Sequence, residues 1–264
     1  MLTSPEDSPH LISEWRLQVL GGFRLSAGNT VLAIPRSGQR LVAILALRGP
    51  SPRLLVAGLL WPDVPEGKAL GCLRTTMWRL RQLQLVVAAR PHPELALPSG
   101  VAVDAHDPAS VVASWRNGSR HSSELLPGWY DDWVLLERER IRQVLLHATE
   151  RAAEDSLTRG EPEIALTLAM AAVAVDSLRE SAHRLVARAH LAEGNVGEAR
   201  RHVADACQLM IDELGVPPSA ALRNLARPQS ILDPPLGPSP GAGGPRGEGE
   251  LAGDRMSAAR ETVQ

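Results

Sequence analysis

The hydrophobic period of this chain switches between strand and helix spacing at a few clear points, and those switches leave few folds open. From Trp15 to Pro35 apolar residues alternate or nearly so: Leu17 and Val19, then Phe23 and Leu25, then Val31 and Ile34. Gly21-Gly22 and Gly28-Asn29 interrupt them, so the stretch reads as short strands joined by tight turns. Helical spacing then takes over. Leu41, Ile44 and Leu45, with Val42 beside them, share a stripe of a helix from Ser37 to Leu47, which Gly49-Pro50 stops. Ser51-Pro52 reads as the N-cap and first helical position of a second helix. It runs through Leu54, Leu55, Leu59 and Leu60 to Trp61-Pro62. A third helix covers Glu66 to Leu83. Leu85–Ala89 and Leu95–Val103 read as two strands turned at Arg90-Pro91-His92-Pro93. Strands, three helices and a hairpin are the order of a winged helix-turn-helix with a leading sheet.

Past Asp104 the pattern stays helical to about Leu225, and it repeats. Leu157-Thr-Arg-Gly160 and Leu191-Ala-Glu-Gly194 lie 34 residues apart, as do Ala165 and Ala199, and Ala172 and Ala206. That is the tetratricopeptide period, with small residues where paired helices approach. The expected class is therefore mainly α: a winged helix (13–104) followed by an all-α, tetratricopeptide-like region (105–226). Residues 1–12 read as a loose arm. Residues 227–264, with PPLGPSPGAGGPRGEGE, bury too little apolar surface to offset ordering entropy and read as a disordered tail.

Composition removes other classes. Aromatics make up only 3 % of 264 residues, so the core rests on Leu, Val and Ala, which favours helices. Two distant cysteines, Cys72 and Cys207, exclude a disulfide scaffold and a cysteine zinc site and fit a reducing cytoplasm. The first ten residues lack the basic and apolar regions of a signal peptide. The longest nearly apolar run, Ile164 to Val175, is too short to cross a bilayer. No partner membrane is expected, and the expected compartment is the cytoplasm, at the nucleoid.

The net charge of −2 conceals an asymmetry. Residues 1–103 carry 11 Arg/Lys against 6 Asp/Glu, whereas residues 104–228 carry 14 against 19. A basic front and an acidic back suggest that the front meets a polyanion. The third helix carries the sharpest signal. Leu73, Met77 and Leu80 form its apolar back, with Leu70 and Leu83 at the margins. Its front presents Gly71, Arg74, Thr75, Trp78, Arg79, Arg81 and Gln82. Such a helix fits the major groove, where arginine chelates guanine and glutamine pairs with adenine. Simple solvation of outer-face charges is the plain alternative. Against it stand Trp78, costly to expose without a partner, and the absence of any acid from Lys68 to Ala89. Arg90, with His92, sits at the hairpin tip, where it suits a minor-groove or backbone contact or is an ordinary turn charge. Arg36, Arg40 and Arg53, at helix starts, are candidate phosphate contacts.

These residues resemble a known family. LQVLGGFRLSAGNTVLAIPRSGQRLVAILAL and LLWPDVPEGKALGCLRTTMWRLRQL are similar to the OmpR-type winged helix of the SARP family of actinobacterial antibiotic-pathway activators. LLPGWYDDWVLLERERIRQ, DSLRESAHRLVARAHLAEGNVGEAR and DELGVPPSAALRNL resemble its bacterial transcriptional activator domain. The likeness spans about Trp15 to Leu225. It implies sequence-specific activation of secondary-metabolite biosynthetic genes by a homodimer on direct repeats of double-stranded promoter DNA. It further implies contact with the RNA polymerase holoenzyme near the loop of Pro62, Asp63, Val64, Pro65, Glu66, Gly67 and Lys68. The family's recognition positions fall on Arg74 and Arg79. Two departures stand out: the segment from Asp104 to Leu125 is short, and Val203 replaces an aromatic of the last repeat. These 264 residues show no ATPase module, phosphopeptide-reading domain or receiver domain, so phosphorylation is not the expected switch.

Catalytic signatures are missing. No GxxxxGK[ST], GxSxG or HExxH occurs. His183 and His190 are two ligands without a third, so no metal or other cofactor is expected. Asp131-Asp132 suits a helix start, where carboxylates favour the macrodipole. Cys72, near the start of the third helix, is a candidate redox-sensitive thiol. A hydrolase or transferase is disfavoured for want of a nucleophile–base set. The remaining alternative is a protein-interaction scaffold in which the helical repeats act and DNA is not read.

Overall fold

A computed structural model describes residues 15–83, 85, 87–89, 94–119 and 123–227. The expected arm, the hairpin tip with Arg90 and His92, and the tail beyond Arg227 lie outside the described residues.

The leading strands are β1 (Trp15–Gln18), β2 (Arg24–Ala27) and β3 (Thr30–Leu32), paired antiparallel with Leu17 opposite Leu25 and Leu25 opposite Leu32. Alternation sends Leu17 and Leu25 into the core and Arg16 and Arg24 outward. Three helices follow: α1 (Arg36–Arg48), α2 (Arg53–Leu60) and α3 (Glu66–Leu80), the last ending in a 3-10 turn at Arg81–Leu83.

Ser51 does not cap α2. Ser51–Pro52 forms a short strand, β4, whose hydroxyl donates to Gly49 O at 3.1 Å, and α2 opens only at Arg53. The backbone there is occupied by a sheet of order β4-β6-β5, with β5 at Val87–Ala89 and β6 at Glu94–Ala96. The expected strand from Leu95 to Val103 is likewise divided. Pro98 has no amide to give a ladder, and Gly100 sits at φ +102, a conformation other residues resist. Beyond that break β7 (Ala102–Val103) crosses to the first sheet and pairs parallel with β1, giving the order β3-β2-β1-β7.

The back half is helical throughout: α4 (Pro108–Arg116), α5 (Asp132–Thr158), α6 (Pro162–Val175), α7 (Glu180–Ala192), α8 (Val196–Leu214) and α9 (Ala220–Asn224). The repeat is exact at the backbone. Gly160 and Gly194 take φ +74 and +79, and their amides reach back to Leu157 O and Leu191 O. Ala165, Ala199, Ala172 and Ala206 are at most 2 % exposed, because α5/α6 and α7/α8 pack as hairpins with no room for longer side chains. In the shortened segment a single helix, α4, packs against α5 and α6. Asp107 caps it, its carboxylate accepting from the Ser110 amide at 3.1 Å.

The two halves share one core. Leu20 bridges to Leu125, the Gly21 amide donates to Glu124 O, and the Leu126 amide donates to Val19 O. At the crossing point the Asp104 carboxylate accepts from the amides of Val19 and Leu20 at 2.9 and 3.0 Å. Burial raises its pKa despite those hydrogen bonds.

Candidate nucleic-acid interface

Two faces of α3 divide sharply. Ala69, Leu73, Thr76 and Leu80 point into the core. Thr76 takes the place expected for Met77: its hydroxyl donates to Cys72 O at 3.0 Å, so burial leaves no unpaired donor, and Met77 is only half-buried. On the other side Arg74, Thr75, Trp78, Arg79 and Arg81 are all exposed, Trp78 to 73 %. Among the described residues Arg74, Arg79 and Arg81 have no ion-pair or hydrogen-bond partner. The Thr75 hydroxyl donates to Gly71 O at 3.1 Å, which leaves its oxygen free to accept. Gln82 falls in the 3-10 turn that ends the helix. Arg53, at the start of α2, reaches this neighbourhood, with Nη1 3.8 Å from Met77 Sδ.

The loop before α3 and the first turn of α3, to which Glu66, Gly67 and Lys68 belong, are open to solvent. Pro62, Asp63, Pro65, Glu66, Gly67 and Lys68 are exposed and Val64 is half-buried, its amide bonded to Trp61 O at 3.2 Å. Cys72 and Cys207 are free thiols.

Arg36 and Arg40 are engaged by the back half. The Arg36 guanidinium lies 3.8 Å over the Trp129 ring, and Trp129 stacks on Phe23. Arg40 pairs with Asp131. Asp131 is therefore an ion-pair partner across the two halves, whereas Asp132 alone occupies the first turn of α5. Sequence reasoning missed this contact set because its members lie about 90 residues apart. The only local signal was the dense WYDDW stretch.

A histidine contact joins the last two long helices. His183 Nδ1 meets His202 Nε2 at 3.0 Å across α7 and α8, while His190 lies 3.7 Å from Glu193. Among the described residues no group of three or more His, Cys, Asp or Glu is placed to hold a metal ion. No helix among them is long and apolar enough to cross a membrane.

Residues 103–230 match the bacterial transcriptional activator domain. The regulatory protein AfsR of Streptomyces coelicolor is 30 % identical over 247 residues, which cover 84 % of this chain and 25 % of AfsR. AfsR of Streptomyces griseus is 28 % identical over 241 residues, 80 % of this chain and 24 % of the relative. The chain thus spans about a quarter of the length of these relatives. Mycobacterium tuberculosis EmbR, solved with a low-affinity phosphopeptide, superposes with a TM-score of 0.66. That match covers 83 % of this chain and 65 % of EmbR at 17 % identity, so it speaks for the fold alone. The back half thus carries a bacterial transcriptional activator domain, and most of the chain is similar to regulatory proteins of the AfsR type.

Proposed function

We propose that this protein reads a specific DNA sequence through α3 and activates transcription from the promoter it binds. One observation carries the reading: α3 and the 3-10 turn that ends it hold three exposed arginines with no partner among the described residues, next to a solvent-exposed indole. An unpaired cation set on a rigid helix is suited to an external polyanion. Arg74 and Arg79 reach base edges, Thr75 and Trp78 meet sugar, methyl or base surfaces between them, and Arg81 and Arg53 hold phosphates. Gln82 and the hairpin residue Arg90 extend the same footprint.

The exposed segment Pro62–Lys68, a loop running into the first turn of α3, is the surface offered to the RNA polymerase holoenzyme. It carries Asp63 and Glu66, the acids nearest the recognition helix. Two protomers on direct repeats, acting at secondary-metabolite genes, complete the proposal. Support for those last features comes from the likeness to these regulatory proteins.

Selection of duplexes from a random library, followed by a salt titration on the selected site, tests the DNA reading. A sequence consensus emerges, and affinity falls steeply between low and moderate salt. Recovery of no consensus, with binding indifferent to salt, overturns it in favour of a scaffold acting through the helical repeats.

A further inference from the structure

Helix α1 is sandwiched. Arg36, Arg40 and Leu47 recur on one side of it, at the spacing of a single helical face. Gly38 and Leu45 lie on the opposite side. On the first side the back half grips the helix along its whole length. Trp129 takes Arg36, Asp131 takes Arg40, Glu137 takes Arg48 at 3.3 Å, and Arg140 reaches Leu47 O at 3.5 Å. On the second side a Cβ at Gly38 would stand 3.1 Å from Leu80 Cδ2, so α1 rests directly on the last turn of α3.

The gripping segment is itself held firmly. Arg138 of α5 donates to the carbonyls of Leu125, Leu126 and Trp129 at 2.9, 3.0 and 3.1 Å. Leu126 is fully buried at φ 45, a backbone conformation that a leucine keeps only when its surroundings enforce it. Arg40 Nε is buried without a partner, so Asp131 is the group that compensates this cation.

We infer that Arg40 and Asp131 are positioning residues for DNA reading. The activator half sets the attitude of the recognition helix through α1, and the pair fixes the register of that contact. The proposal rests on α3 being the DNA reader. It adds that the base-contacting geometry is not a property of the winged helix alone. A groove-reading helix tolerates little displacement before bidentate arginine contacts fail, whereas phosphate contacts are more forgiving. Loosening the grip on α1 therefore costs selectivity before it costs affinity in general.

The test uses the full chain, a site selected from random duplexes by the unaltered protein, and an unrelated duplex. Asp131→Asn loses about tenfold in affinity for the selected site and about twofold or less for the unrelated duplex. Asp131→Glu restores the ratio. Folded Asp131→Asn with unchanged selectivity overturns the inference, as do equal losses on both duplexes. If Asp131→Asn melts below the assay temperature, the double variant Arg40→Met, Asp131→Leu replaces both charges by apolar groups of similar volume, an exchange that buried pairs tolerate. Lost selectivity there supports positioning; retained selectivity refutes it. Arg74→Ala runs in parallel. If it loses the selected site while the Asp131 variants do not, DNA reading stands and positioning falls. If the unaltered chain selects no sequence, both fall.

Discussion

The arginines of α3 and those of α5 to α7 are the same residue put to opposite uses. On α3 and its closing 3-10 turn Arg74, Arg79 and Arg81 stand in solvent with no partner among the described residues. In the back half Arg142 bonds Glu139 and Asp176, Arg179 bonds Glu150, and Arg188 bonds Glu154 with two parallel hydrogen bonds. Several of these link positions 29 to 34 residues apart, so they tie α5 to α7 and to the turn that precedes α7, from one repeat to the next. The difference teaches where a charge is kept for an external anion and where it is consumed in holding helices together. Arg36, Arg40 and Arg48 are the instructive exceptions. They lie in the basic half, yet they are bound by the acidic one.

The largest expected effect tests whether the halves are separable at all. Leu125, Leu126 and Trp129 are at most 5 % exposed, and they close the core of the leading sheet. Losing their burial costs roughly 1.5–3 kcal/mol each, about 5–9 kcal/mol in sum. That is comparable to the 5–15 kcal/mol that stabilises an ordinary domain. Residues 1–110 alone are thus expected to lack a cooperative melting transition and to bind DNA weakly. A fragment that melts sharply and footprints like the full chain would show the basic half to be independent.

A crossed pair of substitutions comes next. Arg179→Ala breaks an ion pair whose side chains are 17 % and 14 % exposed. Discounted for that exposure, the loss is about 1–3 kcal/mol of stability, seen as a lower Tm, with DNA selectivity intact below the transition. Arg74→Ala does the reverse: Tm holds, and about 1–3 kcal/mol of affinity is lost at the selected site but not on random duplex. The division between used and kept arginines fails if Arg74→Ala destabilises the fold or Arg179→Ala relaxes sequence preference.

Much of this layout was legible in sequence wherever the determinant is local. Alternation at Leu17 and Leu25, the 34-residue spacing of Gly160 and Gly194, and the acid-free run after Lys68 each report a short-range constraint. The strand split at Pro98 to Gly100 was not read from the sequence, where Leu95 to Val103 reads as one strand. Its outcome, Val103 leaving the hairpin to pair with Leu17, depends on a distant sheet edge. Thr76 sits where Met77 was expected because its hydroxyl is satisfied within the helix. The partners of Arg36 and Arg40 were not legible because nothing near them in sequence reveals Trp129 and Asp131.

The histidine pair of the repeat gives a pH signature confined to the back half. His183 Nε2–H donates to Ser177 O at 2.8 Å, so its neutral ring offers Nδ1 as the acceptor for His202 Nε2–H. Burial, followed by the nearby His183 and His190, holds the His202 pKa down to about 4, against a partial opposing pull from Asp205. In the unfolded chain this ring titrates near 6.5. Its stabilising contribution is complete above that value and is lost as pH falls towards 4. The expected size is on the order of 1–2 kcal/mol after allowance for solvent screening at a half-exposed ring. His202→Gln flattens stability over that window in urea titrations. Glu150 acts lower on the scale. Burial pushes its carboxyl up, but hydrogen bonds from Arg179 and Ser181 bring it below the usual range. Its contribution therefore disappears only in stronger acid. A histidine variant with an unaltered pH profile between 6.5 and 4 would remove this assignment.

The smallest effect decides which class Arg36 belongs to. Its guanidinium over Trp129 is an exposed cation–π contact, worth about 0.5–1 kcal/mol. As a consumed arginine, Arg36→Ala lowers Tm slightly and leaves unchanged the slope of log affinity against log salt. A phosphate contact behaves differently, because each neutralised phosphate contributes about 0.9 to that slope through released counterions. Arg81→Ala, on the exposed end of α3, serves as the matched comparison and is expected to reduce the slope by about one. If Arg36→Ala flattens the salt dependence as Arg81→Ala does, the N-terminus of α1 touches DNA despite its stacking on Trp129. The boundary between kept and consumed charges would then run through α1 rather than between α1 and α3.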